Sequence, residues 1–199
     1  MALRSFYRKN QTEAGLDEAG RGCLAGPVVA AAVILPENYQ HSVLNDSKSL
    51  SRILRLKVRE DIKNDAIAYG VGIVWNEKID EINILNASFL AMHLALDQIK
   101  QNIDFLLIDG NRFTKYKEIS HQCIVKGDGK YLAIAAASVL AKTTRDAIME
   151  DLHQQYPAYH WDQNKGYPTK HHRRAIMDNG ITPYHRLSFN LNPQLSLKI

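Results

Sequence analysis

Residues 16–27 read LDEAGRGCLAGP, so two adjacent acids, Asp17 and Glu18, stand directly ahead of a glycine-rich turn. Residues 14–18 before the turn have the character of a short strand. Residues 27–35 after it (PVVAAAVIL) form a nearly continuous apolar run rich in β-branched residues, which is typical of a buried strand. The stretch therefore predicts a β-hairpin with both acids beside its turn.

Strands and helices alternate along the rest of the chain. Hydrophobic spacing predicts a helix ending near residue 65, capped by Ser49 or Ser51, and strands at 66–75, 105–108 and 122–125. Further helices are predicted at 82–99, 131–156 and 169–179. This order predicts an α/β fold with a mixed central sheet flanked by helices, plus a helical C-terminal segment.

The composition indicates an ordinary globular protein of the cytoplasm. The chain has 199 residues, of which 45% are hydrophobic and 23% charged, and this suits one well-packed domain. No apolar run is long enough for a membrane span, and the first residues are too polar for a signal peptide. Cys23 and Cys123 are expected to stay reduced, and the histidine spacing argues against a zinc site.

The formal charge of +4 is concentrated at the end of the chain. From residue 165 onward there are six basic residues and one acid, whereas the preceding chain carries nineteen basic and twenty acidic residues. Two interpretations stay open: a solvated basic face, or an electrostatic surface for a polyanion such as nucleic acid.

The glycine-rich turn does not fit the usual phosphate-binding loops. Gly20, Gly22 and Gly26 resemble the dinucleotide-binding pattern with one residue too many, and a strand follows where that pattern needs a helix. No Gly-Lys-Ser/Thr follows, so a Walker loop is excluded. The acids themselves are then the better candidates for the site.

Carboxylates and phosphate come together when divalent metal ions lie between them, because the ions reverse the local sign of charge. Successive strand residues point to opposite faces, so Asp17 and Glu18 can serve one metal pair only if the strand ends or bends there. Two further acids have suitable settings: Asp109 ends a buried strand, and Asp128 lies in the turn KGDGK. Each Asp-Gly taken alone is equally consistent with an ordinary turn.

Together these motifs resemble bacterial ribonuclease HII, the type 2 ribonuclease H, over essentially the whole chain. The matching stretches are DEAGRGCLAGPVVAAAV, NDSKSLS, LIDGNR, KGDGK, AAASVLAKTTRD, KGYPTKHH and HRLSF. The resemblance implies one RNase H-like domain over residues 1–199, with a basic helical segment from about residue 165 to 199. It also implies an endonuclease using two Mg²⁺ or Mn²⁺ ions. Its substrates would be the RNA strand of RNA–DNA hybrids and single ribonucleotides in duplex DNA, cut on their 5′ side.

The resemblance also assigns roles to individual residues. The four metal-binding carboxylates are expected to be Asp17, Glu18, Asp109 and Asp128. Asp146, beside Arg145, is expected to form a structural ion pair instead.

Further residues are implied to recognise the substrate. The ribose 2′-OH and the adjacent phosphate are expected to meet Gly20, Arg21, Gly22 and Tyr167. The DNA backbone is expected to meet Ser47, Lys48, Ser138 and Lys142. Cys23 stands where many relatives carry proline, and no catalytic consequence is expected from it.

Alternatives from other classes are a type 1 ribonuclease H, a junction resolvase and a hybrid-binding protein without turnover. The first two have differently spaced acids. A binding protein without turnover would lack some of the four acids, and none of them is missing here. The end of the chain, QLSL at 194–197, resembles the start of the peptide by which bacterial proteins bind the sliding clamp. A weak clamp contact through Gln194–Ile199 is one interpretation, although Lys198 stands where that peptide has an aromatic residue, and a functionless tail is the other. Nothing in the sequence suggests an oligomer, so a monomer is expected, and no membrane partner is expected.

Overall fold

A five-stranded mixed sheet lies at the centre of the computed structural model, which describes residues 3–44 and 51–191. The strands are β1 (Glu13–Ala19), β2 (Val28–Ile34), β3 (Ala68–Val74), β4 (Phe105–Asp109) and β5 (Ser120–Ile124). The helices are α1 (Arg52–Asp65), α2 (Asn76–Leu96), α3 (Leu132–Gln155), α4 (Trp161–Asn164) and α5 (Lys170–Asn179). None of these helices is apolar over a length that would cross a bilayer.

The strand order is β3-β2-β1-β4-β5. The β1–β2 and β2–β3 pairs are antiparallel, and the β1–β4 and β4–β5 pairs are parallel. The predicted hairpin and the predicted mixed sheet are therefore confirmed. β1 lies in the middle of the order, so the acids at its end are flanked by strands on both sides.

Helices cover both faces of the sheet. Ala14 and Leu16 of β1 point into the core shared with α2. The other face packs against α1 and α3, and α3 comes so close that a Cβ on Gly15 would lie 2.3 Å from the backbone carbon of Ala133. Alternate residues of β1 therefore face α3, and this alternation decides the direction of Asp17.

The start of α2 differs from the predicted start at residue 82. The helix begins at Asn76, but Asn83 interrupts it with φ of 66°. The side-chain oxygen of Asn83 accepts hydrogen bonds from the N–H groups of Leu85 and Asn86 at 3.0 and 3.1 Å, as an N-cap does. The periodicity found the part of α2 that this asparagine caps and missed the turns before it.

Other element ends lie within a few residues of the predictions. Ser51 caps α1 by accepting a hydrogen bond from Leu54, as predicted, whereas Ser49 lies outside the described residues. Thr169 caps α5 in the same way through His172. The short helix α4 was not predicted, since four residues give no measurable periodicity.

The segment after α3 folds back onto the glycine-rich turn. Leu24 and Ala25 of that turn share an apolar cluster with the C-terminal half of α3 and with α4 and α5. The other buried members are Met149, Leu152, Tyr159, Trp161, Ala175 and Ile176. This packing brings residues 165–186 to the end of the sheet where the acids lie.

Candidate active site

Asp17 and Asp109 lie side by side at the ends of two parallel strands. The β1–β4 register runs from Glu13 opposite Phe105 to Leu16 opposite Ile108, so Asp17 and Asp109 are the next residues on each strand. Both belong to the set that faces α3. The Ser138 hydroxyl of α3 hydrogen-bonds the Asp17 carboxylate, which is buried with 7% of its surface exposed.

Asp128 joins this end of the sheet through a short 3-10 turn, Gly127–Gly129, between β5 and α3. The N–H of Gly127 donates to Oδ1 of Asp109 at 2.6 Å, which ties the turn to the end of β4. The side chain of Asp128 is buried. The turn therefore brings another carboxylate to the end of β4.

Glu18 points to the opposite face by strand alternation, but the strand ends one residue later. The register with β2 continues to Ala19 opposite Val29, and Gly20 follows with φ of 96°. Glu18 Oε1 accepts a hydrogen bond from Arg21 Nη1 at 3.1 Å. The predicted end of the strand next to the acid pair is thus confirmed, and Glu18 lies at the rim of the site.

Burial and mutual repulsion raise the pKa values of Asp17 and Glu18. Burial raises the pKa of Asp17 well above its usual range, and the charges of Glu18 and Asp109 raise it further. Burial also raises the pKa of Glu18, where the Arg21 guanidinium opposes the shift and Asp109 adds to it. The ionised forms of Asp17, Glu18 and Asp109 repel one another, so they are unfavourable together without a cation.

Within residues 3–44 and 51–191, no three acidic, histidine or cysteine side chains are drawn together closely enough to hold a metal ion. The chemistry of the donors nevertheless fits a hard divalent cation. Such ions prefer carboxylate oxygens, and a positive charge would offset the repulsion that raises the pKa values of Asp17 and Glu18. Asp17, Glu18, Asp109 and Asp128 are the side chains that could bind it.

The glycine-rich turn is held from beneath by Arg186, which is fully buried. Its guanidinium donates to the backbone carbonyls of Gly20, Arg21 and Gly26 at 2.8 to 3.1 Å. Burial lowers the pKa of Arg186 to about 10, which still leaves it charged at neutral pH. A buried cation therefore lies directly under the turn.

This arrangement fixes the direction of the backbone N–H groups. In a trans peptide the C=O and the N–H point in opposite directions. Because Arg186 draws the carbonyls of Gly20 and Arg21 inward, the N–H groups of Arg21 and Gly22 point away from it. The turn thus presents bare N–H donors above a buried positive charge, a combination that suits an anion.

A second buried arginine, Arg145 of α3, holds the other end of the turn. It donates to the carbonyls of Ala25, Pro27 and Lys165 at 2.8 to 3.1 Å. A Cβ on Gly20 would lie 2.0 Å from its Nε atom, and the positive φ at Gly20 also favours glycine. Glycine is therefore required at position 20, because a side chain would clash with Arg145 and because φ is positive there.

Tyr167 stands across a cleft of about 470 Å³ from this turn. The cleft is lined by Glu18, Ala19, Gly20, Arg21, Gly22, Arg55, Ser138, Val139, Lys142 and Tyr167. The side chain of Tyr167 is half-buried, and its hydroxyl is within hydrogen-bonding reach of the Cys23 thiol. The structure thus brings together the predicted acids, the predicted turn and the predicted tyrosine.

The sequence model of the family described as Ribonuclease HII matches residues 14–192 of the chain. The chain belongs to the ribonuclease HII family. It is a type 2 ribonuclease H, a metal-dependent endonuclease, and the family supports activity on the RNA strand of RNA–DNA hybrids.

Relatives and solved structures agree with this ribonuclease HII assignment. A ribonuclease HII of Bacteroides fragilis is 64% identical over 189 residues, which cover 95% of this chain and 94% of the relative. The ribonuclease H2 of Pyrococcus horikoshii superposes with a TM-score of 0.75 at 26% identity, covering 90% and 94% of the two chains. A PCNA:RNase HII complex from Archaeoglobus fulgidus gives 0.71 at 25% identity, covering 91% and 96%. The RNase H-like fold is therefore confirmed.

Not every residue predicted from the family resemblance lies in the cleft in the expected way. Ser47 and Lys48 lie outside the described residues. Ser138 lines the cleft but also bonds Asp17, and Lys142 forms an ion pair with Asp146 at 2.5 Å. The structural ion pair expected for Asp146 is thus present, with Lys142 rather than the neighbouring Arg145 as its partner.

The basic end of this ribonuclease HII is only in part a charged surface. Arg186 is buried beneath the turn, Lys165 pairs with Glu150 at 2.7 Å, and Arg174 pairs with Asp178 at 2.8 Å. Arg173 donates to the carbonyls of Asn190 and Leu191. Four of the six basic side chains from residue 165 onward therefore bond within the protein, and the cleft itself is lined by the basic side chains of Arg21, Arg55 and Lys142.

Arg145, Arg186 and a buried histidine pair were not identified from the sequence. They lie in the motifs TTRD, KGYPTKHH and HRLSF that carry the resemblance, but the sequence of a motif does not show that its arginine is buried. The charge count even assigned Arg186 to the basic surface. Only the fold shows that its partners are backbone carbonyls.

The histidine pair consists of His172 and His185, whose Nε2 atoms are 3.2 Å apart in the interior. Burial lowers the pKa of His172. Burial also lowers the pKa of His185 to about 4, with His172 adding to that shift. Both are therefore neutral in the folded protein at neutral pH.

We expect the pair to make the protein less stable in mild acid. Below about pH 6.5 the unfolded chain protonates these histidines, whereas the folded chain protonates His185 only near pH 4. The unfolded state binds more protons in this window, so the free energy of unfolding falls as pH decreases, by up to about 3 kcal/mol. Urea unfolding at a series of pH values from 7 to 4.5 measures this fall in the free energy of unfolding.

The matched comparison is between His185→Asn and His171→Asn. Asparagine at 185 can still accept the hydrogen bond from Thr182 but does not titrate, so the pH dependence should weaken. His171 is exposed, and its replacement should leave the dependence as in the wild type. An unchanged slope for His185→Asn would contradict the assignment of the effect to this pair.

Proposed function

We propose that this ribonuclease HII cuts the RNA strand of hybrids and also cuts on the 5′ side of single ribonucleotides in duplex DNA. The observation that supports this most is the meeting of Asp17 and Asp109 with the Gly20–Gly22 turn at one end of the sheet. The acids can hold divalent cations, and the turn offers N–H groups to a phosphate beside them. A hybrid-binding protein without turnover would not need cation-binding acids beside such a turn.

In this proposal Asp17, Glu18, Asp109 and Asp128 hold two ions, Mg²⁺ or Mn²⁺. When bound, the ions supply a nucleophilic water and neutralise charge on the scissile phosphate. The Ser138 hydroxyl orients Asp17, and the Gly127 N–H orients Asp109. A water oxygen bonds to phosphorus while the bond to the 3′ oxygen breaks, which leaves a 5′-phosphate and a 3′-hydroxyl end.

Selectivity for ribose rests on the turn and on Tyr167. The N–H groups of Arg21 and Gly22 face the cleft, and Tyr167 lines its other side. The 2′-OH is the group that distinguishes RNA from DNA at a given nucleotide. A polar site built around that hydroxyl rejects deoxyribose strongly, because its groups are left unpaired when the hydroxyl is missing.

Contacts to the rest of the duplex are proposed for Lys142, Ser138, Ser47 and Lys48. Lys142 lines the cleft, and its ion pair with Asp146 would yield to a phosphate. Such contacts are independent of sequence and weaken with added salt. They complete a surface that holds the duplex while the turn reads the sugar.

The test is cleavage of a labelled DNA duplex with one ribonucleotide, in Mg²⁺, in Mn²⁺ and in chelator. The wild type should cut on the 5′ side of the ribonucleotide with either metal and stop with chelator. Asp109→Asn should lower the rate about 100-fold or more, the scale of losing one electrostatic contact in the transition state. Its binding to the duplex should be retained.

Asp151→Asn is the matched control, since Asp151 is an exposed acid on α3 outside the cleft. It should cut at the wild-type rate. Full activity of Asp109→Asn would refute the role of the acids. Cleavage of long hybrids without cleavage at the single ribonucleotide would restrict the protein to hybrids and remove the proposed role of Tyr167.

We also propose a weak sliding-clamp contact through Gln194–Ile199, which lies outside the described residues. The archaeal RNase HII complex with PCNA supports this by analogy. A peptide of residues 192–199 should bind a bacterial sliding clamp in fluorescence polarisation, with Gln194 replaced by alanine as the control. Absence of binding at high micromolar concentration would end this proposal.

Oligomeric state, domain organisation and cellular compartment are proposed for the protein as well. It is proposed to act as a monomer with one RNase H-like domain, which light scattering of the purified chain would check. The two cysteines are free, which fits a reducing compartment such as the cytoplasm.

A further inference from the structure

The buried pair His172–His185 is joined by hydrogen bonds that define one arrangement of protons. Trp161 Nε1 can only donate, so His172 Nε2 accepts from it at 3.0 Å. The carbonyl of Tyr167 can only accept, so His172 Nδ1–H donates to it at 3.0 Å. The Thr182 N–H donates to His185 Nδ1 at 2.9 Å, which leaves His185 Nε2–H to donate to His172.

This arrangement links the two elements that the proposed function assigns to ribose recognition. On one side, His172 bonds the backbone of Tyr167. On the other side, His185 pairs with Ala25 of the glycine-rich turn, and the next residue, Arg186, holds the carbonyls of Gly20 and Arg21. The pair therefore lies between Tyr167 and the turn that faces it across the cleft.

Tyr167 depends on such support because its segment is irregular. Lys165 and Gly166 both have positive φ, of 49° and 80°, and Pro168 follows. The segment is held to the turn by Leu24 N–H, which donates to the Gly166 carbonyl at 2.8 Å. The Tyr167 carbonyl accepts from Thr169 and from His172. Of the two bonds to the Tyr167 carbonyl, the one from His172 comes from a buried side chain.

We propose that His172 is a positioning residue for substrate selection: supported by His185, it holds Tyr167 at a fixed distance from the Gly20–Gly22 turn. The proposal rests on the proposed function, since it needs Tyr167 to recognise a ribonucleotide. His172 does not touch the substrate. Its effect should be felt most where recognition depends on one ribose, because a long hybrid offers many ribonucleotides to bind.

Two substitutions separate the bonds of His172. Asparagine can imitate Nδ1–H and keep the donor to Tyr167, whereas glutamine reaches the Nε2 position and keeps an acceptor for Trp161. We expect His172→Gln to lower single-turnover cleavage at one ribonucleotide about tenfold or more, as small displacements in a site do. His172→Asn should restore most of that rate. Cleavage of a long hybrid should change much less in both.

A positioning role differs from a merely structural role in one respect: the effect of His172→Gln should depend on the presence of the Tyr167 side chain. In a Tyr167→Ala background, His172→Gln should cause no further loss, because the residue it positions is gone. An equal loss in both backgrounds, or equal rates for His172→Gln and His172→Asn, would overturn the inference.

His185 supplies a second pair of variants in case His172→Gln does not fold. His185→Gln keeps a donor toward His172 and should remain selective, whereas His185→Asn loses that donor and should be less selective. Equal selectivity of the two would count against the inference. Wild type and Tyr167→Ala in the same assay test the proposed function itself: a wild type that ignores the single ribonucleotide refutes that function. A slow Tyr167→Ala beside a fast His172→Gln refutes only this inference.

Discussion

Two buried guanidinium groups hold the glycine-rich turn, and the geometry of the site depends on them. Arg186 and Arg145 both donate to backbone carbonyls of residues 20–27, and no carboxylate lies among their hydrogen-bond partners in the described parts of the chain. Burying a charge is unfavourable unless its donors are satisfied, so the turn and the arginines require each other. Because the carbonyls are turned inward, the N–H groups of Arg21 and Gly22 face the cleft. The glycine-rich turn can thus offer N–H donors to an anion without a helix N-terminus behind it.

The adjacency of acids and turn then has a physical explanation. Asp17 and Asp109 share a face of the sheet because their strands are parallel and in register, and α3 closes over that face with Ser138 bonded to Asp17. Burial and mutual repulsion make the ionised acids unfavourable on their own, which is the property expected of a site completed by cations. A phosphate can lie between such cations and the turn, attracted by both. In the proposed function, the acids and the turn therefore serve one substrate, although carboxylates alone would repel its phosphate.

The sequence predicted those parts of the fold that depend on local pattern. Short apolar runs rich in β-branched residues predicted the hairpin and the strands, and Ser51 and Thr169 cap helices near the predicted starts. Asn83 is an exception, because a helix that restarts at a capping asparagine has the periodicity of its second part only. For the site, the adjacent acids and the strand-end Asp109 could be found from their positions. The contacts of Arg145 and Arg186 with the glycine-rich turn could not, since they join residues more than a hundred positions apart. Nor could the proton arrangement of His172 and His185, which is set by Trp161 and two backbone groups.

We infer that the backbone at Gly22 meets the substrate and not the rest of the protein. A Cβ added at Gly22 would have no atom within 4 Å, in contrast to Gly20, where it would strike Arg145. The most direct measurement is therefore the stability and the single-ribonucleotide cleavage rate of Gly22→Ala, with Gly20→Ala for comparison. We expect Gly22→Ala to change the free energy of unfolding by less than about 0.5 kcal/mol but to lower the cleavage rate about tenfold or more, while Gly20→Ala should lose stability as well. A stable Gly22→Ala protein that cuts at the wild-type rate would contradict it.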